Sequence, residues 1–326
     1  MVETTQPYAT NLERIRRAAE IIQNRIHRTP IMSSSLINER TGLELYFKCE
    51  PFQKIGAFKI RGATYALDTL SAEEKKRGVV THSSGNHAQA LALAAKEANV
   101  DAHIVMPTNS PIVKKNAVLD YGAQVYDCAP TLAARESTAN AIMERLGAVM
   151  IPPYNDERVI TGQGTLGLEI FDQVPQLDAV LVPIGGGGLC AGTTLALHEL
   201  APTIKVYGVE PAGADDALQS RRAGRLIPQS NPQTIADGLR TSMGDLTWPV
   251  IRDLVTDVLT VSDDLILEAM RLIWTRLKIV VEPSGAIGLA ALMAHSNRFE
   301  PGQKIVIVLT GGNVDLDRLP WFSAPN

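Results

Sequence analysis

Four consecutive glycines occur in the segment PIGGGGLCAG, which runs from Pro183 to Gly192. They follow an apolar run and precede a helical pattern. Backbone without Cβ atoms lets a phosphate group approach closely, and the first amides of a helix, together with its dipole, attract an anion. Because a tight turn needs only one or two glycines, the segment indicates a phosphate-binding loop.

The same glycines leave a second interpretation open. Gly186, Gly188 and Ala191 satisfy the loose spacing of a dinucleotide-binding loop, and Glu210 ends the next apolar run about 20 residues further on. A nicotinamide-dependent dehydrogenase is therefore an alternative at this point. No Gly-Lys-Ser/Thr follows the glycines, so the segment is not a P-loop.

A cluster of small polar residues occurs in the segment THSSGNHAQ, from Thr81 to Gln89. Ser83, Ser84 and Asn86 stand at the start of a helical pattern, where free backbone amides and short polar side chains bind anions. An ordinary helix cap would account for one of these residues but not for all three. The segment predicts a second anion site, of a size that suits a carboxylate.

Two further segments are ambiguous on their own. In QKIGAFKIRGA, Lys59 stands between Phe58 and Ile60, which fits either a surface lysine or a catalytic amine. In VLTGGNVD, Thr310 ends an apolar run and places a hydroxyl at the edge of a predicted sheet. Both residues become informative only if other parts of a site lie beside them.

Three carboxylates, Glu210, Asp215 and Asp216, occur within the segment GVEPAGADD. Carboxylate and carbonyl oxygens are the ligands that Mg²⁺ and Ca²⁺ prefer. A solvated acidic turn before a helix is the commoner explanation, and the local sequence alone favours it.

Short apolar runs alternate with helical patterns along most of the chain, which predicts parallel strands connected by helices. Such sheets are covered on both faces, and their ligands bind beyond the carboxyl ends of the strands. Three strand–helix units between about residues 78 and 153 form a compact block. We therefore predict a large domain of residues 1–76 and 156–326, interrupted by a small domain of residues 77–155.

The composition argues against nucleic acids and membranes as binding partners of this protein. The chain has 326 residues, with 31 Lys and Arg against 35 Asp and Glu, and it contains no basic block, which argues against nucleic acid. Its start lacks a secretory signal, and no apolar stretch reaches the ~18 residues of a membrane span. We therefore expect a cytoplasmic protein with no membrane partner. Cys49, Cys128 and Cys190 are scattered, which predicts reduced, buried thiols.

The segments AFKIRGA, SSGNHAQ, GGGG and TGGN occur together in one order. In this order and spacing the chain resembles the fold-type II pyridoxal-phosphate (PLP) enzymes, within them the serine racemase and serine/threonine dehydratase group, from His27 to Trp321. The resemblance implies an α/β fold like that of the tryptophan synthase β chain, with two three-layer α/β/α domains and mostly parallel sheets. The segments NVDLDRLPW and IPPYNDERVITGQGT look more like the bacterial 3-hydroxyaspartate dehydratase and hydroxyectoine-utilisation dehydratase branches.

The resemblance implies a role for each segment. Lys59 would form a Schiff base with the cofactor aldehyde, and Thr310 would face the pyridine nitrogen. The other cofactor-binding residues would be Phe58 and Asn86 at the ring and Gly185, Gly186, Gly187 and Gly188 at the phosphate. The substrate-binding residues would be Ser83, Ser84, Asn86, His87, Arg135 and Thr241.

The resemblance also reverses the interpretation of the acidic turn. Glu210, Asp216 and the carbonyl group of Ala214 match the divalent-cation site of the serine racemase group, which implies Mg²⁺, or else Ca²⁺ or Mn²⁺. Tyr154 departs from the Asn or Phe of some relatives, which leaves its role at the ring edge open. The family also implies a homodimer that acts on a small amino acid.

The expected reaction is β-elimination. Lys59 would remove the Cα proton as general base. Thr310, unlike a carboxylate, does not keep a proton on the ring nitrogen, so electron withdrawal is modest and expulsion of a β-hydroxyl is favoured. The product would hydrolyse to a 2-oxo acid and ammonia. Ser84, on the opposite face of the substrate, would exchange a proton there and permit racemisation.

Substrate choice depends on Arg135, which is either a clamp for a second carboxylate or a surface residue of its helix. As a clamp, Arg135 would favour 3-hydroxyaspartate as the substrate, and the product would be oxaloacetate. Without the clamp, serine would be an adequate substrate, and threonine would rank below it. A serine or aspartate-type racemase is the alternative main activity. An NAD-dependent dehydrogenase and a non-catalytic binding protein of the same fold are the more remote alternatives.

Overall fold

The computed structural model describes residues 8–110, 112–319 and 321. The outer limits of the predicted large domain, residues 1–7 and 322–326, lie outside the described residues. Within these residues the strands β1 to β10 are, in chain order, Ile31–Met32, Glu44–Cys49, Val79–His82, Ala102–Pro107, Gln124–Cys128, Val149–Met150, Ala179–Pro183, Lys205–Pro211, Asp257–Val261 and Lys304–Leu309. The helices α1 to α13 are Leu12–Ile22, Ser35–Thr41, Lys59–Asp68, Ala72–Arg77, Asn86–Ala98, Ile112–Asp120, Leu132–Leu146, Glu157–Gln173, Gly188–Leu200, Asp216–Ala223, Trp248–Asp253, Asp263–Arg276 and Pro283–Ala294.

Six strands form one sheet in the order β1-β2-β10-β7-β8-β9. β1 pairs antiparallel with β2, and the other neighbours in this sheet are parallel. β10 lies in the middle, with Ile307 opposite Phe47 of β2 and Leu181 of β7. The parallel order brings the ends of β7 and β10 to one edge, where the glycine loop and Thr310 follow.

Helices cover both faces of this sheet. Successive side chains of a strand point to opposite faces. Leu181 and Ile307 pack with apolar residues of α12 and α13, whereas Val182 and Val306 pack with residues of α8 and α9. Both faces are therefore buried, as expected of parallel strands with continuous apolar sequences.

The second sheet has four parallel strands in the order β5-β4-β3-β6. Val79 and Ile104 pack against α3 and α5 on one face, and Val80 and Val105 pack against α7 on the other. The loop that follows β3 contains the Ser-Asn cluster, so this sheet positions the second predicted anion site.

These observations confirm the predicted mixed α/β fold with parallel sheets. The strands of the four-stranded sheet lie between Val79 and Met150; the domain limits at residues 76/77 and 155/156 stay a prediction. No helix in the described part of the chain has the length and apolar character needed to cross a membrane.

Candidate active site

The glycine loop is built without room for side chains. It follows β7, and Gly187 has φ +86°, a left-handed conformation that favours glycine. A Cβ atom on Gly186 would lie 2.1 Å from Cγ of Tyr154, and one on Gly187 would lie 2.7 Å from Oγ1 of Thr247. α9 then begins at Gly188 without a side-chain cap. Its first amides therefore have no intrahelical partner and face any anion held by the loop.

α5 and α3 also begin without a side-chain cap, as do α2, α10, α11 and α13. α5 follows Gly85 and α3 follows Phe58. By contrast, α1, α4 and α8 are capped by the side chains of Asn11, Ser71 and Asp156. The starts of α5, in the Ser-Asn loop, and of α9, in the glycine loop, thus leave helix amides free for a ligand, whereas those of α1, α4 and α8 are bonded to a capping side chain.

Lys59 is the first residue of α3 and lies beside the end of β10. The amide of Phe58 donates a hydrogen bond to the carbonyl oxygen of Thr310 at 3.0 Å. Nζ of Lys59 donates to the carbonyl oxygen of Pro153 at 2.7 Å and lies 5.0 Å from the centre of the Phe58 ring. Burial lowers the pKa of Lys59 to about 8, against the opposing effect of the charge on Glu282. The amine is therefore free for part of the time near neutral pH.

A chain of hydrogen bonds runs through the side chain of Asn86. Its Nδ2 donates to Oε1 of Glu282 at 2.7 Å, and its Oδ1 accepts from Nδ2 of Asn313 at 2.9 Å. Asn313 also donates to the carbonyl oxygen of Ile55 at 2.8 Å. Three loops, those before α3, after β3 and after β10, therefore meet at one amide. Sequence reasoning missed Glu282 and Asn313, although Asn313 stands in the quoted TGGN segment.

The Ser-Asn loop has a defined backbone. The amide of Ser83 donates to the carbonyl oxygen of Val105 at 3.1 Å, and its hydroxyl accepts from the amide of Gly85 at 3.3 Å. Ser84 is partly buried. His87 is buried, with Nε2 2.9 Å from the carbonyl oxygen of Ile151, and burial lowers the pKa of this imidazole to about 3. The ring is therefore neutral at physiological pH and faces that carbonyl.

A buried ion network lies under Lys59. Arg61, two residues further along α3, donates to both carboxylate oxygens of Glu50 at 2.8 Å and to Glu169 at 2.6 and 3.0 Å. Lys48 donates to the same Glu169 at 2.5 Å. Arg61, Lys48 and Glu50 are fully buried. The network fixes the first turn of α3, which carries Lys59. No local sequence pattern indicates this network, because its members lie up to 121 residues apart.

Tyr154 and Thr241 lie against the glycine loop. The ring of Tyr154 covers Gly186, and a Cβ atom on Gly188 would lie 3.1 Å from Cβ of Tyr154. Oγ1 of Thr241 lies 3.2 Å from the place where Gly185 would carry a Cβ atom. Burial raises the pKa of the Tyr154 phenol, so it is neutral. The side chains of Tyr154 and Thr241 therefore line the predicted phosphate site.

The acidic turn holds two buried carboxylates. Glu210 accepts from the amides of Ala217 and Leu218 at 2.9 and 3.0 Å, and Oδ2 of Asp216 accepts from the amide of Met243 at 2.9 Å. Oδ1 of Asp216 is buried with no partner in the described chain. Burial raises the pKa of Glu210 well above its usual range, with the charge of Asp216 adding to the effect, and burial raises the pKa of Asp216 to about 6. A bound cation would relieve both costs.

The acidic turn is linked to the glycine loop. The residue after Met243, Gly244, donates its amide to the carbonyl oxygen of Gly186 at 3.4 Å, and Oγ1 of Thr247 donates to the same oxygen at 2.9 Å. Among the residues that the structure describes, no group of three or more His, Cys, Asp or Glu side chains is arranged to hold a metal. The predicted cation site has two such side chains, Glu210 and Asp216, with the buried Ala214 beside them.

Arg135 lies in the first turns of α7. Its Nε is buried and finds no acceptor among the described residues. Burial lowers the pKa of His82, and the nearby charge of Arg135 lowers it further while that of Glu136 opposes the shift. The guanidinium therefore retains hydrogen-bonding capacity beside the end of β3.

Comparisons with known proteins agree with this arrangement. Residues 22–311 match the family of pyridoxal-phosphate dependent enzymes. The chain is 49% identical to a serine racemase of Arabidopsis thaliana, over 99% of this chain and 98% of the relative. It is 46% identical to a β-hydroxyaspartate dehydratase of Paracoccus denitrificans, over 96% and 99% of the two chains. The structure of maize serine racemase superimposes with a TM-score of 0.93 at 48% identity, covering 95% of each chain.

These relatives are racemases and dehydratases, so the chain is an enzyme of the lyase or racemase kind. Both carboxylate oxygens of Glu210 are buried and accept hydrogen bonds from the amides of Ala217 and Leu218, so this carboxylate is already engaged within the protein. The dinucleotide alternative therefore finds no support. With the matched segment covering most of its length, this chain belongs to the family of pyridoxal-phosphate dependent enzymes.

Proposed function

We propose that this enzyme converts a small β-hydroxy amino acid into a 2-oxo acid and ammonia, the water lost in the elimination being returned by hydrolysis, and that it also inverts configuration at Cα. The observation that carries the proposal is the desolvated amine of Lys59, whose pKa is lowered to about 8. Its Nζ bonds to the carbonyl oxygen of Pro153, next to the Tyr154 that covers the glycine loop, and the preceding residue, Phe58, is bonded to Thr310.

The residues present fit PLP. The cradle at Gly185–Gly188 has no space for side chains, the uncapped start of α9 suits the phosphate, and Lys59 supplies the amine that an aldehyde requires. Phe58 and Asn86 would hold the ring, with Thr310 at the pyridine nitrogen. When bound, the cofactor withdraws electrons from the Cα of a joined amino acid and makes its proton acidic.

Residues of the chain itself would bind the substrate and transfer the protons. Ser83, Ser84 and Asn86, with the first amides of α5 at His87, would bind the substrate carboxylate and so fix Cα. The Lys59 amine would take the Cα proton on one face. The Ser84 hydroxyl would deliver or take a proton on the other face, which accounts for racemisation. Thr241, at the glycine loop, would border the substrate.

Nε of Arg135, for which the described part of the chain offers no acceptor, supports a substrate with two carboxylates. A guanidinium binds a carboxylate bidentately, and charge-assisted hydrogen bonds of this kind are strong. We therefore rank 3-hydroxyaspartate, which would give oxaloacetate, beside serine and ahead of threonine. The dehydratase of Paracoccus denitrificans, named for hydroxyaspartate, supports the same ranking.

Glu210, Asp216 and the Ala214 carbonyl would hold one divalent cation, with Mg²⁺ ranked before Ca²⁺ and Mn²⁺. Oδ1 of Asp216 has no partner among the described residues, and the pKa values of both carboxylates are raised, which supports this site. A small amino acid is the proposed partner; the homodimer and the cytoplasmic location stay predictions.

The test is a panel of L-, D-, threo- and erythro-β-hydroxy amino acids. We expect release of 2-oxo acid and ammonia from serine and 3-hydroxyaspartate, with slower exchange of the Cα hydrogen and inversion. Inversion that exceeds elimination for every substrate would favour the alternative, a serine or aspartate-type racemase, which the two serine racemase relatives support. Absence of both reactions would overturn the proposal.

A further inference from the structure

Glu282 lies in the proposed site and has no role in the reaction described above. It is the residue before α13 and is 2% exposed. Its Oε1 accepts from Asn86, but its Oε2 is buried and has no partner among the described residues. A buried carboxylate oxygen without a partner is costly, so its presence calls for an explanation.

Five groups from different elements act on the charge of Glu282. Burial raises the pKa of Glu282 to about 7, and Asp237, in the turn before α11, raises it further. Lys114 of α6 and hydrogen bonds from the Asn86 side chain and the Asn313 backbone lower it. Lys59 of α3 also lies within the electrostatic reach of Glu282, since the carboxylate raises the pKa of that amine. Glu282 therefore changes its charge near neutral pH, next to the proposed catalytic amine.

Lys114 and Asp237 belong to different sheet units. Nζ of Lys114 donates to Oδ2 of Asp237 at 2.7 Å. Lys114 lies on α6, which connects β4 and β5 of the four-stranded sheet. Asp237 stands in the segment that precedes β9 of the six-stranded sheet. Nζ of Lys114 is also 3.9 Å from the place where Gly85 would carry a Cβ atom, so it borders the Ser-Asn loop. Arg240 faces Lys114 from the same turn as Asp237.

We propose that Glu282 is a positioning residue that balances the charge of Lys59 and holds the Asn86 amide, and that Lys114 and Asp237 adjust this balance from the two sheet units. The inference rests on the proposed function. When Lys59 takes a proton from Cα it becomes an ammonium ion in a desolvated site. An ionised Glu282 offsets that charge, whereas a protonated Glu282 does not, so activity is expected to fall as pH decreases through about 7.

Two charge variants test this account because they have opposite effects. Lys114→Met removes a cation and is expected to move the acidic limb of the pH–kcat profile to higher pH by roughly one unit. Asp237→Asn removes an anion and is expected to move the limb to lower pH. Both variants break the same ion pair, so a merely structural bridge would impair both in the same way. Glu282→Gln is expected to remove the contribution of this carboxyl group and to leave only the part of the limb that protonation of Lys59 causes.

The cofactor-free protein gives a second readout. A carboxyl group whose pKa is raised on folding stabilises the protein at low pH, and this stabilisation is lost as pH rises through the folded pKa. We therefore expect the melting temperature of the wild type, relative to Glu282→Gln, to fall between about pH 4.5 and pH 7. In Lys114→Met the decrease in melting temperature should continue to higher pH, because a cation that lowers the pKa of Glu282 is gone. In Asp237→Asn it should end at lower pH, because an anion that raises this pKa is gone.

Suppose that the wild-type enzyme releases 2-oxo acid, but that the acidic limbs of Lys114→Met and Asp237→Asn stay where they are or move in the same direction. That result would overturn the inference and leave the proposed function intact. If the wild type is inactive with every substrate, the proposed function fails. The melting curves then still decide the charge coupling: parallel curves for wild type and Glu282→Gln would contradict it.

Discussion

The backbone amide of Phe58 donates a hydrogen bond to the carbonyl oxygen of Thr310 at 3.0 Å, and this bond joins the start of α3 to the end of β10. The two residues are 252 positions apart, yet the bond sets Lys59 beside the residue proposed to face the pyridine nitrogen. The end of the central strand thus positions the start of α3, and the hydrogen bond from Nζ to the carbonyl oxygen of Pro153 holds the amine itself.

Replacement of Arg61 tests the network beneath the site. Arg61→Met leaves Glu50 buried without its bidentate partner, and breaking a buried ion pair costs about 3–5 kcal/mol. The control is Lys76→Met, because the Lys76–Glu73 pair is exposed and such pairs contribute about 0–1 kcal/mol. Urea unfolding measures both free energies, and an Arg61 variant as stable as the control variant would contradict a stabilising network.

Replacement of Ser84 tests the two-face mechanism. Ser84→Ala removes the proposed proton carrier on the face opposite Lys59, so racemisation is expected to fall by on the order of 10²–10⁴-fold. Elimination from the enantiomer whose Cα proton points to Lys59 should persist, because Lys59 is unchanged. Chiral chromatography and Cα deuterium exchange measure the two rates, and racemisation that continues at the wild-type rate would exclude Ser84 as the base.

Replacement of Arg135 tests the proposed carboxylate clamp. Arg135→Ala is expected to lower kcat/KM for 3-hydroxyaspartate by roughly 10- to 100-fold, since hydrogen bonds to charged groups contribute about 1.5–3 kcal/mol. Serine, which has no second carboxylate, should be affected far less. Arg145, on the same helix, provides the control Arg145→Ala, which should spare both substrates. An equal loss for both substrates in Arg135→Ala would contradict the clamp.

The pKa of Asp216 predicts how cation binding depends on pH. Because burial raises this pKa to about 6, the cation-free protein keeps a proton on Asp216 at low pH and loses the associated stability as pH rises through about 6. Mg²⁺ should therefore raise the melting temperature clearly at pH 8 and little at pH 5, where it competes with protons. Asp216→Asn should abolish the Mg²⁺ effect, and an effect that is equal at both pH values would argue against this ligand set.

The parts of the site predictable from sequence are those formed by neighbouring residues. The glycines at Gly185–Gly188 and the Ser-Asn cluster follow directly on strands, so composition and strand order suffice to locate them. Glu282, Asn313 and the partners of Arg61 were missed because they act through pairings between distant segments. Asn86 meets Glu282 across 196 positions, and Arg61 meets Glu169 across 108. No local pattern distinguishes such residues from ordinary buried or capping side chains.

The most direct test of the central claim is reduction of the purified enzyme with borohydride, followed by mass spectrometry of its peptides. We expect an absorbance band near the visible edge that the reduction bleaches, and a pyridoxyl adduct on the peptide that carries Lys59. The control is Lys54→Ala, which removes a lysine paired with Glu97 and should keep band and adduct. Absence of the absorbance band would contradict the account. So would a pyridoxyl adduct on another lysine together with a Lys59→Ala variant that is still active.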